Sequence, residues 1–472
     1  MKRKSVFPAL LCALALCLAL AGCGEQPATV TELSGVMTAE ELAALDSYEQ
    51  LRLLDLSGSR CYDEIEAYIA AHPEVSVRYT VAVGETEYAP DTQTLTLDSA
   101  GEIDALPAVC AHLPQLREVE LGVTPTPEQL AALRQALPEA KLRYPVTLLG
   151  QSLPSTQSSL DLSGLDSARV PEAAAALPLL PELAQVELSD SLPLDDYLRL
   201  KAAAPQAQFR YAFTLFGQEV STETEALEYK NIEIGKEGLA EFFRVLPGLD
   251  RLKSLYFERI GAKNADIAAL RDAFPDKEIN WLVEYGWTAT RSDAISVWNI
   301  GGFDDKQLAE LKYCTKVKYL DIGHNGITDL SFVRYMPDLE VLILENDYVA
   351  DLSPLADCKN LEYLEAGETR VTDVSPLANV TSLRHLNIGG LLGLTDISPL
   401  YGLPNLERLY GLCDVNVPRE QVEHIKELMP NTEIDFDYYG AGAVNGGHWR
   451  YLADGTIAPR YQLLHDQIGY YW

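Results

Sequence analysis

Leu361-Glu362-Tyr363-Leu364-Glu365-Ala366, with Asp373-Val374-Ser375-Pro376-Leu377 behind it, is one copy of a phrase that the chain repeats between Val317 and Leu412. The five copies begin at Val317, Leu339, Leu361, Leu383 and Leu406, spaced 22, 22, 22 and 23 residues apart. Apolar residues hold the first, fourth and usually sixth places, as in Val317/Leu320/Ile322, Leu339/Leu342/Leu344 and Leu383/Leu386/Ile388. The fifth copy, Leu406/Leu409/Gly411, decays. The tails Asp351-Leu352-Ser353-Pro354-Leu355 and Asp396-Ile397-Ser398-Pro399-Leu400 agree with the first quoted, and Asp329-Leu330-Ser331-Phe332 is a variant. Alternating apolar places make a short strand with one buried face, while the side chains between them point the other way. One unit cannot bury its apolar face alone, so the units stack into a solenoid with a continuous core. Serine before proline predicts an N-cap followed by proline at the first helical position, opening a short turn on the convex side.

The L-x-x-L-x-L heading and the period resemble the 22-residue repeats of internalin-like leucine-rich-repeat proteins of bacterial surfaces, over about a fifth of the chain. The resemblance implies an α/β leucine-rich-repeat solenoid, a horseshoe with a parallel concave sheet. It also implies asparagine at the places held here by Asn325, Asp347, Thr369 and Leu391, so that ladder is degraded.

Upstream, a longer unit of about 67 residues extends the same logic from Leu51 to Trp287. Pro73, Pro138, Pro205 and Pro275 each follow a helix and precede a strand. Apolar stripes such as Leu130/Leu133/Leu137 and Ile267/Leu270/Phe274 predict amphipathic helices. Leu116/Val119/Leu121, Leu183/Val186/Leu188 and Leu252/Leu255/Phe257 restate the leucine phrase. Leu95-Thr96-Leu97, Leu160-Asp161-Leu162, Ile232-Glu233-Ile234 and Val297-Trp298-Asn299-Ile300 read as opening strands, and Gly84-Glu85, Gly150-Gln151 and Gly217-Gln218 as turns. The first half therefore reads as the same solenoid with helical convex segments and the second half as the version with short turns. If the chain is instead two domains in tandem, the joint falls between Trp287 and Asp293. Tyr438, Tyr439, Trp449, Tyr451, Tyr461, Tyr470, Tyr471 and Trp472 crowd the end, around His448-Trp449-Arg450, and read as an aromatic C-terminal cap. A solenoid needs one to keep its last repeat from water; a carbohydrate platform is the functional alternative.

The start of the chain reads as an address. Lys2-Arg3-Lys4 precedes the apolar run Ala9 to Leu20, and Leu20-Ala21-Gly22-Cys23 is similar to the bacterial lipobox. That similarity implies that Cys23 becomes the lipidated first residue, on the outer face of a membrane. The expected parts are a signal peptide over 1–22, a lipidated tether and short helix over 23–47, long repeats over 48–293, 22-residue repeats over 294–413 and the cap over 414–472. Thr38-Ala39-Glu40-Glu41 fits a capping box for the short helix. Without residues 1–22 the 472-residue chain keeps 34 Lys and Arg against 70 Asp and Glu, a balance of −36. Such a surface disfavours nucleic acid and anionic lipid headgroups and favours basic partners. Of the eight cysteines, Cys61, Cys110, Cys314, Cys358 and Cys413 form no C-x-x-C. Cys314 and Cys358, each three places before a repeat's first apolar residue, read as small core residues.

Catalytic motifs are not found: no G-x-S-x-G, H-E-x-x-H, Walker loop or dinucleotide fingerprint. The expectation is a binding protein, not an enzyme, with no cofactor or metal. The aspartates before Ser-Pro read as turn stabilisers, not calcium ligands. The side chains between the core leucines form two columns. The first is Glu118, Gln185, Ser254, Tyr319, Val341, Tyr363, His385 and Arg408; the second is Glu120, Glu187, Tyr256, Asp321, Ile343, Glu365, Asn387 and Tyr410. Tyrosine, valine and isoleucine edged by Asp321, Glu345 and Glu365 suit a protein or peptide with a basic surface. A partner-binding face is thus expected from Tyr319, Asp321, Val341, Ile343, Glu345, Tyr363, Glu365, His385, Arg408 and Tyr410, its side chains exposed and dispensable for folding. An envelope scaffold or a glycan-binding adhesin is the alternative.

Overall fold

A short strand of three to five residues recurs wherever the leucine phrase is written, with its central leucine or valine sealed into the core. The structure is a computed structural model that describes residues 30–412 and 415–434, and beyond them residues 450, 456, 457, 461, 462 and 466. The signal segment, Cys23, Cys413, the run Gly440 to Gly447 and most of the aromatic terminus lie outside the described residues. The chain divides into two compact units, residues 1–211 and 212–472.

The first unit carries three parallel three-stranded sheets. They are Glu32–Ser34, Leu53–Asp55 and Ser76–Arg78; Thr94–Leu97, Glu118–Leu121 and Lys141–Arg143; and Ser159–Leu162, Gln185–Leu188 and Gln208–Arg210. Helices of the expected stripes join the strands. Pro127–Ala136 starts in a capping box between Thr126 and Gln129 and buries Leu130 and Leu133. The short helix at Ala39–Ala43 is capped by Thr38 and Glu41 as expected. The glycine turns are hairpin tips: Val81–Val83 returns as Thr86–Tyr88, and Pro145–Leu148 as Gln151–Pro154. Leu149 and Gly150, at φ 51° and 78°, form a two-residue tip with both residues left-handed, the geometry that matches strand twist.

The second unit opens with the hairpin Ala212–Leu215/Gln218–Ser221 and a four-stranded sheet of Ala226–Lys230, Ser254–Glu258, Glu278–Tyr285 and Thr288–Arg291. Two expectations are corrected here. The opening strand is Ala226–Lys230, not Ile232-Glu233-Ile234: Leu227 and Tyr229 alternate into the core, and Asn231 at φ 54° ends the extended run. Nor is Trp287 to Asp293 a joint, since Arg291 pairs back onto Leu282 and Thr288 onto Tyr285.

Seven strands then stack in chain order, all parallel: Ser296–Trp298, Tyr319–Asp321, Val341–Ile343, Tyr363–Glu365, His385–Asn387, Arg408–Tyr410 and Glu433–Ile434. Their registers align Leu320, Leu342, Leu364, Leu386 and Leu409 in one row, and all five are fully buried. Cys314 and Cys358 are buried free thiols, pushed by burial to pKa about 12 and about 11. The Ser-Pro tails form 3₁₀ turns at Ser353–Asp357, Ser375–Asn379 and Ser398–Leu400. Here the expected cap shifts by two residues. Serine is the first residue of the turn, and the aspartate before it takes the hydrogen bonds: Ser353 N and Oγ donate to Asp351 at 2.7 and 2.9 Å, with the same pair at Ser375 and Asp373. The decayed fifth phrase also has a cause. Gly411 sits at φ 91°, and a Cβ there would collide with the Gly389 backbone.

Candidate functional site

The registers put the two columns where the alternation of the sequence expects them. Tyr319, Val341, Tyr363, His385 and Arg408 are in line on neighbouring strands, as are Asp321, Ile343, Glu365, Asn387 and Tyr410. All point away from the leucine row. Their exposure is another matter. Asp321, Val341, Ile343, Tyr363, Glu365, His385, Asn387 and Arg408 are all buried, and only Tyr319 and Tyr410 are half-exposed. The expectation that these side chains are open and irrelevant to folding is therefore wrong for the middle of the face.

The cover is the chain's own C-terminal segment. Tyr461 joins Val341, Ile343 and Tyr363 in one apolar cluster, with Tyr319, Tyr410 and Ile457 packed at its edge. The Tyr461 ring lies nearly parallel to that of Tyr363, with centroids 6.4 Å apart and an interplanar angle of 24°. His385, on the neighbouring strand, also stacks with Tyr363, at 5.8 Å. Arg450 supplies the charge. Its Nε donates to Glu365 Oε1 at 2.9 Å and one terminal nitrogen donates to Glu365 Oε2 at 2.7 Å, a two-pronged pair. The same nitrogen donates to Glu345 Oε2 at 3.0 Å. The guanidinium also sits 4.9 Å from the Tyr461 ring centroid, and Tyr363 donates its hydroxyl to Glu365 at 2.6 Å.

Electrostatics follow from this crowding. Glu345 is pushed up to about 7, by burial first and then by the charge of Glu365, against the pull of Arg450. Above that pH Glu345, half-buried beside Arg450, carries a negative charge. Burial acts to lower the pKa of Arg450, but Glu365 holds it above the usual range. Burial also raises Tyr363 and Tyr461. Flanking the seat, Arg408 pairs with Glu433 at 3.2 Å and His385 with Glu407 at 3.5 Å. Fork-shaped Arg–carboxylate pairing selects geometry as well as charge.

The columns of the long repeats are different. Glu120 and Arg143, and likewise Glu187 and Arg210, are cross-strand partners, the latter 3.8 Å apart, and Asp55 faces Arg78 in the same way. Glu118 pairs with Arg143, and Tyr256 lies between Lys230 and Arg291 at 5.4 and 4.5 Å from its centroid. Such exposed pairs contribute little; in each unit these strand positions are polar.

Sequence reasoning missed Arg450, Ile457 and Tyr461 as members of the site. The signal that could have found them is the misfit of Val341 and Ile343 on an open face beside two carboxylates that need a cation. Of the expected cap, Arg450, Ile457 and Tyr461 lie over the middle strands of the seven-stranded sheet, Arg419–Leu428 forms a helix and Glu433–Ile434 adds the last strand; the other terminal tyrosines and tryptophans lie outside the described residues. Among the described residues no group of three or more His, Cys, Asp or Glu side chains is placed to hold a metal ion.

No protein-family profile matches the chain, and no curated protein matches it either. Solved structures that it resembles include internalin C2 of Listeria monocytogenes, at 20% identity over 46% of this chain and 74% of that one, with a TM-score of 0.25. An internalin (inlF) of the same organism matches at 19% identity over 74% and 82%, TM-score 0.28. A leucine-rich-repeat protein of Leptospira interrogans matches at 18% over 86% and 93%, TM-score 0.28. The leucine-rich-repeat architecture itself rests on the period, the parallel register and the leucine row described above.

Proposed function

We propose that this chain is a lipid-anchored extracellular leucine-rich-repeat protein that binds a protein partner through the concave face of its 22-residue repeats. The observation that carries the reading is the way Arg450 and Tyr461 lie on that face. Its centre receives a guanidinium and an aromatic ring, side chains that any protein ligand can present, on a rigid platform of parallel strands. Aromatic and arginine anchors in desolvated centres dominate protein recognition energetics. The acidic surface adds a long-range preference for basic partners. Anchoring through Cys23 draws support from the basic start, the apolar run and the Leu-Ala-Gly-Cys tetrapeptide. Among the described residues no helix is long and apolar enough to cross a membrane.

The test uses photo-crosslinking amino acids placed singly at Tyr319 and Tyr410, the half-exposed edges of the face, and at Glu187 and Tyr335 as references. A partner cross-linked from the first two positions and not from the references supports the reading. A partner cross-linked equally from the references contradicts it.

A further inference from the structure

The carboxylates under Arg450 are costly. Glu365 has no exposed side-chain surface and Glu345 only 26%, while the Arg450 side chain keeps 11%. An ion pair buried to this degree seldom stabilises a fold better than apolar side chains of the same volume. The neighbouring places show that the face tolerates such side chains, since Val341 and Ile343 lie beside the pair. A segment meant only to shield the sheet needs apolar contacts, not two acids and a guanidinium.

The receiving side is also built independently of what covers it. Val341–Ile343 and Tyr363–Glu365 pair with each other and with Tyr319–Asp321 and His385–Asn387 on either side, over the buried leucine row. Glu365 is oriented by the Tyr363 hydroxyl, and the Tyr363 ring stacks with His385 of the neighbouring strand. The described residues of the covering segment engage this platform through side chains named by their chemistry: a fork of donors, an aromatic ring and an aliphatic edge.

We infer that Glu345, Glu365 and Tyr363 form an arginine-recognition subsite of the concave face, and that the segment bearing Arg450 and Tyr461 is a tethered occupant which an arginine-bearing peptide of a partner protein displaces. This deepens the concave-face reading and rests on it. One feature makes arginine the fit and lysine a poor substitute: the pair on Glu365 is two-pronged, from Nε and a terminal nitrogen, and an ammonium has no second prong. Tethering sets the competition. An attached occupant acts at an effective concentration on the order of mM, so a free peptide sees the intact chain as nearly closed.

The experiment uses the full chain with a protease-recognition sequence inserted after Val444, so that cutting leaves the segment held without a covalent link. The probe is a synthetic peptide of residues 446–466. Excess probe is expected to release the cut fragment and bind in its place, with the remaining chain still melting cooperatively. The same peptide carrying Arg450→Ala, and one carrying Arg450→Lys, are expected to be at least tenfold weaker. Glu365→Gln in the cut chain is expected to weaken retention of the fragment to a similar degree, and the uncut chain to bind the labelled probe at least tenfold more weakly than the cut one. Equal release by the arginine and alanine peptides, or no release by either, overturns the subsite. Loss of cooperative melting or aggregation when the fragment leaves overturns the displaceable occupant and makes the segment part of the fold. The probes come from this chain, so the test can fail while a partner still cross-links from Tyr319 and Tyr410. It can equally succeed when none does.

Discussion

Asp347→Asn should stabilise the second unit at neutral pH and do nothing at pH 3. Asp347 stands in the ladder place that Asn325 holds one repeat earlier. Asn325 uses both ends of its amide: Phe303 N donates to its oxygen at 3.0 Å, and its nitrogen donates to the carbonyls of Ile322 and Asn299 at 2.6 and 2.7 Å. Asp347 keeps only the first half of that role. Its Oδ1 accepts from the backbone of Asn325, Gly326 and Ile327 at 2.9, 2.5 and 3.2 Å. Its Oδ2 is buried and makes no hydrogen bond among the described residues, because a carboxylate has no hydrogen to offer where the amide offers two. Burial, opposed by those backbone donors and reinforced by Asp321, pushes its pKa up from 3.8 to about 6.

The sign follows from proton counting. Between those two values the folded chain holds a proton that the unfolded chain has lost, so stability falls as pH rises from about 4 to about 6 and is level beyond. The loss amounts to about 3 kcal/mol at 1.36 kcal/mol per unit. An asparagine escapes it, since its nitrogen donates and carries no charge. Urea melts of wild type and variant at pH 3, 5 and 7 should show a gain near zero, intermediate, and about 3 kcal/mol in turn. A gain that is the same at pH 3 and pH 7, or absent at both, refutes the reasoning.

The other predictions are briefer. Cys23→Ala should abolish incorporation of labelled fatty acid and release the protein from membranes or leave it unprocessed; acyl label on the variant contradicts the anchor. Tyr363→Ala should cost about 3 kcal/mol or more of stability by denaturant melting, the usual loss for a fully buried aromatic side chain, whereas an open-face residue would cost almost nothing. Asp373→Ala should cost about 1 kcal/mol, since it removes the acceptor for Ser375 N and Oγ at the head of a 3₁₀ turn; no change would show the turn to be held by Pro376 and Leu377 alone.

How much of this was legible from residues alone differs from element to element. The strands at Tyr319, Val341, Tyr363, His385 and Arg408 and the register between them follow from spacing, because a one-residue slip would expose every core leucine. The long-repeat helices follow from their apolar stripes. Ala226–Lys230 was harder to read, since Ile232 and Ile234 offered a competing alternation and only the left-handed Asn231 separates them. The return strands Gln151–Pro154 and Thr288–Arg291 are half polar and short, with no alternation to mark them. The aspartates before Ser-Pro read as turn stabilisers from the sequence, but the cap itself was assigned to serine because both residue types serve as caps. Occupancy of the strand face that bears the two columns was least legible. Alternation tells which way Glu365 points, but no local pattern tells that Arg450, 85 residues on, comes to lie over it.

The central claim is that partner binding takes place on the concave face of the short repeats. The direct measurement is the affinity of a purified cross-linked partner for wild type and for Tyr319→Ala/Tyr410→Ala, both variants checked for an unchanged melt. Truncating a true anchor costs about 2 kcal/mol or more, so the account predicts at least a tenfold rise in Kd for the double variant, with association that slows as salt is added. An unchanged Kd would contradict it and put the site on another surface.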